Sequence, residues 1–294
     1  MRNQISFHYD GPITTDHRIG LRTMSATLTH LQSAIDRAYL EEKRGKLQKH
    51  ARLHKDDYAH VDFTLLPPRE GGFIQEIIGN TRHAITDRIG RALERAYVRV
   101  VNEEGPIVES LAIQAQKVAG QLNNGVSIPT QRQQLVDYYN SEERLTTFAE
   151  RSILKEFDQT LSQIRIERYA GSTLEISVAG KKTYPLFEFD AARSERFHTI
   201  VSERTVGNPV LLRVTIRALD EGGKNSRPTG KATDLETGKD FNILFSSDND
   251  FNLLVPYVKA GQKEPVEIIA VPILEYQTFD PISGDMFFIG LNSL

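Results

Sequence analysis

Apolar positions along this chain follow two alternating periods, and where the period changes an element ends. Residues 3–9 (NQISFHY) alternate, with Ile5 and Phe7 on one face, which predicts a strand. Asp10-Gly11-Pro12 closes it. From Leu21 the spacing lengthens: Leu21, Met24, Leu28, Leu31, Ile35 and Tyr39 share a helical face, predicting a helix to about residue 47. Alternation returns over 58–66 through Val61, Phe63 and Leu65, and again over 73–78. Between these strands Pro67-Pro68 cannot donate to a ladder, and Gly71-Gly72 tolerate positive φ. The link is a structural turn first, with Arg69 and Glu70 at its exposed tip as a candidate partner contact.

The next stretch is helical. Asn80 or Thr81 caps a helix carrying Ile85, Ile89, Leu93, Ala96 and Val100, and Glu104-Gly105-Pro106 stops it. Further helices are predicted over about 108–122, after Ser127-Ile128-Pro129, and from Asn140 to about residue 157, where Asn140 and Glu143 resemble a capping box. Beyond Leu161 the pattern turns to strands at 163–169, 174–178 and 184–189, with a short helix over 191–203. Strands then follow at 210–219, 230–235 and 241–245, a short helix at 251–258, and strands at 266–274 and 286–291.

The resulting expectation is an α+β chain. Residues 1–158 form an N-terminal α/β layer with a helical middle, 159–207 a β-rich connection, and 208–294 a small five-stranded β-barrel. Three strands, a helix and two strands is the order of an OB-type barrel. An SH3-like barrel stays open, because strand order is not written in the sequence.

Composition narrows the chemistry. The absence of cysteine removes disulfides, thiolate metal sites, iron–sulfur clusters and cysteine nucleophiles. The N-terminus has no apolar signal-peptide core, and apolar runs fall short of the roughly 20 residues of a membrane span. These features lead to the expectation of a cytoplasmic protein without membrane contact, and no cofactor or metal is called. Residues 205–294 carry 12 acidic against 8 basic side chains, whereas nucleic-acid binding calls for a basic face.

Three constellations compete with structural explanations. His50 and His54 lie four apart, near Asp57, His60 and Asp62, but in a polar stretch where solvated histidines need no metal. Asp10, Asp16 and His17 follow the first strand and form an alternative active site for a metal-dependent hydrolase or nuclease, although turn and cap chemistry explains them as well. Arg88, Arg91, Arg95 and Arg99, with Arg82 before them, make the densest basic feature and a candidate partner-binding face. The chain contains no P-loop, dinucleotide fingerprint, HExxH, nucleophile elbow or kinase signature.

Tyr9-Asp10-Gly11, His17 ahead of a helix, and LLPPREGGF at 65–73 resemble a poorly characterised bacterial family in which an α/β domain precedes a five-stranded barrel. The resemblance implies an association with phage defence or mobile elements and transfers no catalytic residues. Together these readings lead to the expectation of a non-enzymatic binding or scaffold protein that contacts a protein partner and self-associates. The alternative is nucleic-acid binding through the barrel and the arginine helix.

Overall fold

The alternating segment at the N-terminus becomes the central strand of an antiparallel sheet in a computed structural model of the chain. The structure describes residues 3–69, 72–79, 83–103, 105, 109–141, 147–223, 226–258 and 264–292. In chain order the elements are β1 (Asn3–Asp10), β2 (Thr14–Thr15), β3 (Arg18–Ile19), α1 (Leu21–Arg44), α2 (Tyr58–Val61), β4 (Phe63–Leu65), β5 (Phe73–Gly79) and α3 (His83–Val101). Next come α4 (Leu111–Asn123), β6 (Thr130–Gln131), α5 (Arg132–Asn140), α6 (Phe148–Leu161), β7 (Thr173–Ala179), β8 (Phe187–Phe189) and α7 (Ala191–Ser202). The chain ends with β9 (Arg204–Val206), β10 (Val210–Asp220), β11 (Thr229–Asp234), β12 (Asp240–Leu244), α8 (Asp248–Leu254), β13 (Val266–Glu275) and β14 (Met286–Leu291).

These elements divide into two units, and the chain passes between them repeatedly. Unit 1 contains residues 1–106 and 147–203; unit 2 contains 107–146 and 204–294. The division differs from the expected one at 158 and 208. Residues 107–146 go with the barrel because β6 adds to β10 in parallel and α5 sends Arg132 to Asp234. Residues 159–203 are not a connection; β7 and β8 complete the unit 1 sheet.

In unit 1 the sheet order is β4-β5-β1-β7-β8, antiparallel throughout. Ile5, Phe7 and Tyr9 are buried, with Phe7 stacked near Phe157 of α6 and the Tyr9 hydroxyl 2.7 Å from Thr27 Oγ1 of α1. Burial pushes the Tyr9 phenol above its usual range, against the opposing hydrogen bond from Thr27. The alternate residues form a half-exposed polar face bonded across strands: Gln4 to Glu76 at 2.8 Å, Ser6 to Ser177 at 2.6 Å and His8 to Glu175 at 2.8 Å. Helix α3 approaches the 180–184 segment so closely that a Cβ on Gly90 would lie 2.4 Å from the Tyr184 ring, while the Tyr184 hydroxyl donates to the Asp87 carbonyl at 2.8 Å.

One expected strand is partly helical and another wholly lost: of 58–66 only residues 63–65 form a strand, and 163–169 forms none. Residues 58–61 form the one-turn helix α2, because Asp57 turns inward to accept from the Tyr39 hydroxyl at 2.8 Å, from Lys43 and from the His54 amide at 2.9 Å. Residues 162–165 and 167–169 are 3₁₀ turns, with Arg165 pinned to Asp158 at 2.9 Å and to the Ser194 carbonyl at 3.0 Å.

Unit 2 holds the expected five-stranded barrel. The order β10-β11-β12-β14-β13 closes through a β13–β10 pairing, and β12 runs parallel to β14. Helix α8 lies between the third and fourth barrel strands. First to second to third to fifth to fourth and back to first is the OB topology, so the SH3-like alternative is set aside. The interior is filled by residues from every barrel strand, including Val210, Leu212, Val214, Ala232, Ile243, Ile268 and Phe288, together with Phe245 and Phe251. On the outside, Ala115 of α4 packs with Val271, Ile273 and Phe287.

Candidate binding surface

Side chains fill the barrel interior, which leaves its outer face and rim loops open to contact with another molecule. In OB barrels the outer face of the second and third strands, with the loops after the first and fourth strands, takes the ligand. Here the alternation along β11 and β12 turns Gly230, Ala232, Phe241 and Ile243 inward, leaving Thr229, Lys231, Thr233, Asp240, Asn242 and Leu244 outward. Lys231 opposes Asn242, and Thr233 opposes Asp240. From β10, Arg213, Thr215 and Arg217 join the same face.

Asp240 organises this surface. It accepts from Thr233 Oγ1 at 2.6 Å, and Arg217 and Lys231 each place a nitrogen 3.5 Å from its oxygens. The Thr233 hydrogen bond, and then the two cations, hold its carboxyl below the usual range against the penalty of partial burial. Asn242 donates to Asp285 at 3.0 Å, linking the strands to the rim loop over 276–285.

Both rim loops carry internal hydrogen bonds. The 276–285 loop begins with Tyr276 and Gln277, both at positive φ, in a two-residue turn closed by Glu275 and Thr278 exchanging backbone bonds at 3.0 and 3.1 Å. Asp280 accepts from the Ile282 amide at 2.9 Å and the Ser283 hydroxyl at 2.8 Å. Arg132 of α5 reaches the Pro281 and Ile282 carbonyls from behind while its Nε donates to Asp234 at 2.6 Å. Asp234 also accepts from the Glu236 amide and the Thr237 hydroxyl, so this one buried ion pair ties α5, the β11–β12 turn and the rim loop together. On the opposite rim, Gly222 takes φ +74° and its amide donates to Asp220 at 2.9 Å.

All the aromatic side chains of the barrel strands, Phe241, Phe287 and Phe288, are buried. Phe245, Phe251, Tyr276 and Phe279 are buried too. Among the described residues, β11 and β12 therefore offer no outward ring on which a base could stack. Of the basic side chains around this region, Arg213, Arg217 and Lys231 share the outer face; Lys224 lies outside the described residues.

The sequence-derived residues of unit 1 are largely engaged in holding the fold. Arg88 donates to Glu41 at 2.6 Å, to Glu150 at 3.2 Å and to Thr147 at 3.0 Å; Arg95 donates to the same Glu150 oxygen at 2.8 Å. Burial pushes the Glu150 carboxyl up, opposed by both arginines. Arg99 pairs with Glu203 at 3.5 Å, while Arg91 is exposed. The arginine run thus contains three side chains committed to ion pairs within the chain, and Arg82 lies outside the described residues. Sequence spacing correctly put these arginines on one face, but carried no sign of the carboxylates that meet them from α1 and α6.

Asp10 is exposed at the end of β1. Asp16 and His17 are the positive-φ tip of the β2–β3 hairpin, not a helix cap, at φ 49° and 58°. His17 Nδ1 accepts from the Gly72 amide at 3.2 Å. Gly72 has φ +83°, and a Cβ there would lie 2.6 Å from the Tyr9 carbonyl, which explains glycine in that link. Arg69 bridges to Ile74 in the backbone and pairs with Glu76; Glu70 lies outside the described residues, as do Asn80 and Thr81. Among the described residues no group of three or more His, Asp or Glu side chains is arranged to hold a metal, and no helix is long and apolar enough to cross a membrane. His60 instead stacks on Tyr39 with ring centroids 5.9 Å apart.

Fold and surface together define an OB-type barrel with a charged outer face, on a chain that also builds an antiparallel α/β unit. Comparison of the chain with family models, curated proteins and solved structures gave no match.

Proposed function

We propose that this is a non-enzymatic binding protein whose barrel presents the outer face of β10–β12 to a charged segment of a protein partner. The observation that carries the reading is the mixed-charge surface of Arg213, Arg217, Lys231 and half-exposed Asp240, while the aromatics of the barrel strands are buried. Charge of both signs with polar neighbours suits a segment that brings its own carboxylates and amides, and such complementarity sets register and on-rate. The firm 276–285 loop supplies a pre-ordered edge, which lowers the ordering entropy of binding.

The resemblance of the N-terminal motifs supports a reading of the protein as an accessory subunit of a bacterial antiviral-defence or mobile-element system, and self-association belongs to the same reading. A second reading, nucleic-acid binding, rests on the three cations of the face. The test is a triple charge reversal, Arg213→Glu, Arg217→Glu and Lys231→Glu. Native-host partners retained by the wild type and lost from the triple variant support protein recognition. Retention on single-stranded DNA or RNA that falls steeply with salt supports the second reading instead. Size measurement on both proteins reports whether the same face joins copies of the chain.

A further inference from the structure

We propose that the surface of unit 1 formed by residues 43–55 and the ring of Tyr58 binds single-stranded nucleic acid, its cations meeting phosphates and its ring stacking under one base. The surface is separate from the barrel face and independent of the reading given for that face. Residues 43–55 hold six basic side chains and no Asp or Glu: Lys43, Arg44, Lys46, Lys49, Arg52 and Lys55. On the helices of unit 1, Arg88, Arg95 and Arg99 meet carboxylates of the same chain. In this stretch Lys43 does so, on Asp57, but Lys46, Arg52 and Lys55 are exposed and form no ion pair among the described residues. A run of cations that the fold itself leaves uncompensated suits a polyanion.

The stretch is anchored along its length. Helix α1 is capped by Gly45 at φ +73°, and Leu47, Ala51 and Leu53 then pack with Leu40, Phe148 and Ala149. With those side chains held inside, Lys46, His50, Arg52, His54 and Lys55 are left exposed. The Arg44 guanidinium donates to the Arg52 carbonyl at 2.9 Å, tying the returning chain to the end of α1. Asp57 is then drawn inward by Tyr39, Lys43 and the His54 amide, which turns the next residue outward. Tyr58 is consequently 58% exposed, a large ring held at the surface by its neighbour's anchoring. A concavity of about 290 Å³ joins this ring to Arg37 and Arg52, with Leu40, Ala51 and Leu53 as its apolar lining.

The ring decides which polyanion fits. An acidic peptide answers the cations alone, and a duplex keeps its bases stacked on one another. An unpaired strand offers phosphates to the cations and a free base face to the tyrosine, whatever its sequence. The barrel face is the counter-example within the same chain, since it carries cations but no outward ring on β11 or β12. Asp36 also lines the concavity, where it accepts from Gln32 Nε2 at 2.8 Å. Beyond Tyr58 the neighbouring concavity has Asp36 and Asp62 and no basic side chain. The strand's phosphates are therefore expected on the Arg52 side of the ring, not the Asp62 side.

Fluorescence anisotropy of the full chain tests this, with a labelled oligouridylate of about 12 nucleotides, a duplex of the same length and polyglutamate as probes. The oligouridylate is expected to bind at low salt, with log K falling against log salt at a slope of about −2, as three phosphate contacts at roughly 0.7 each give. Duplex and polyglutamate are expected to bind at least about tenfold more weakly, lacking the stacked base. Arg52→Glu with Lys55→Glu, both at exposed positions, is expected to weaken oligouridylate binding by about tenfold or more. Tyr58→Ala is expected to cost about tenfold, while Tyr58→Phe, which keeps the ring and guards against misfolding, stays within about twofold of the wild type. No binding at about 50 mM salt and 100 μM protein overturns the proposal. So does polyglutamate or duplex binding as tight as that of the oligouridylate, which assigns the surface to an acidic protein or to phosphate charge alone. So does oligouridylate binding that survives the Arg52, Lys55 and Tyr58→Ala variants, or that is lost only on reversing Arg213, Arg217 and Lys231, which assigns it to the barrel.

Discussion

Unit 1 and unit 2 solve the same problem differently. Each must fix helices against a sheet using arginine–carboxylate contacts, because both place charged side chains next to apolar cores. Unit 1 spreads the job over Arg88, Arg95, Arg99 and Arg165, which meet Glu41, Glu150, Glu203 and Asp158 where helices adjoin. Unit 2 concentrates it in Arg132, whose side chain is 3% exposed and whose partner Asp234 is 1% exposed. A distributed network tolerates loss of one member, whereas a single buried pair does not. The lesson for function is one of subtraction: side chains spent on holding the fold are poor candidates for recognition, and what remains is the barrel's outer face.

The largest expected effect follows from the concentrated pair. Arg132→Ala leaves Asp234 buried without its cation and should destabilise unit 2 by about 3–5 kcal/mol. Hydrogen exchange should show loss of protection at β10–β14 well before β1, β5 and β7. Equal loss in both sheets would mean the two units do not hold themselves up separately.

Arg88→Ala should cost less, about 2–3 kcal/mol, because Arg95 still reaches Glu150. Its effect should fall on unit 1 amides, read in the same exchange experiment. An effect larger than that of Arg132→Ala would reverse the contrast between a shared and a single brace.

Asp57 sharpens the comparison through pH. Its carboxyl is held far below the usual range, first by Lys43, then by the His54 amide and the Tyr39 hydroxyl. A depressed folded-state value means its stabilising contribution is complete above the ordinary value of 3.8 and is lost as pH falls further. Asp57→Asn should therefore flatten the fall in Tm on the acid side and leave the unit 2 transition where it was. An unchanged acid slope would count against Asp57 as the anchor of the α2 turn.

The smallest stability effect is expected at the barrel face. Arg217→Glu or Lys231→Glu should change stability by no more than about 0.5 kcal/mol, since both side chains are about half exposed and pair loosely with Asp240. A large loss on thermal denaturation would make the face structural and weaken its role in recognition.

Much of this architecture is legible from local pattern. The alternation of β10, the length of α3, and the chain order of the barrel strands around α8 follow from periodicity and turn residues. What escapes is set by distant partners. Thr130 and Gln131 look like a helix approach, yet they pair with Val210 and Leu211, about 80 residues away, and so carry α5 into the barrel unit. The β2–β3 hairpin is hidden because Asp16 and His17 occupy positive-φ positions where glycine or asparagine is the usual signal. Ile164 and Ile166 alternate as a strand would, but Arg165 between them is captured by Asp158, and the segment winds into 3₁₀ turns. The site is less legible than the fold. Sequence identifies the arginine run, but not that Glu41 and Glu150 neutralise it; nor does it show that Asp57, turning inward, sets Tyr58 outside.

Recognition of a protein segment by the outer face of β10–β12 is the proposal on which the functional reading stands. The most direct measurement compares partner binding by the wild type and the Arg213→Glu, Arg217→Glu, Lys231→Glu variant, both folded by hydrogen exchange, with the captured partner then titrated as a purified protein. The variant is expected to lose affinity for the partner by at least about a hundredfold, equivalent to about 2.7 kcal/mol. Undiminished affinity of the folded variant for that partner would contradict it.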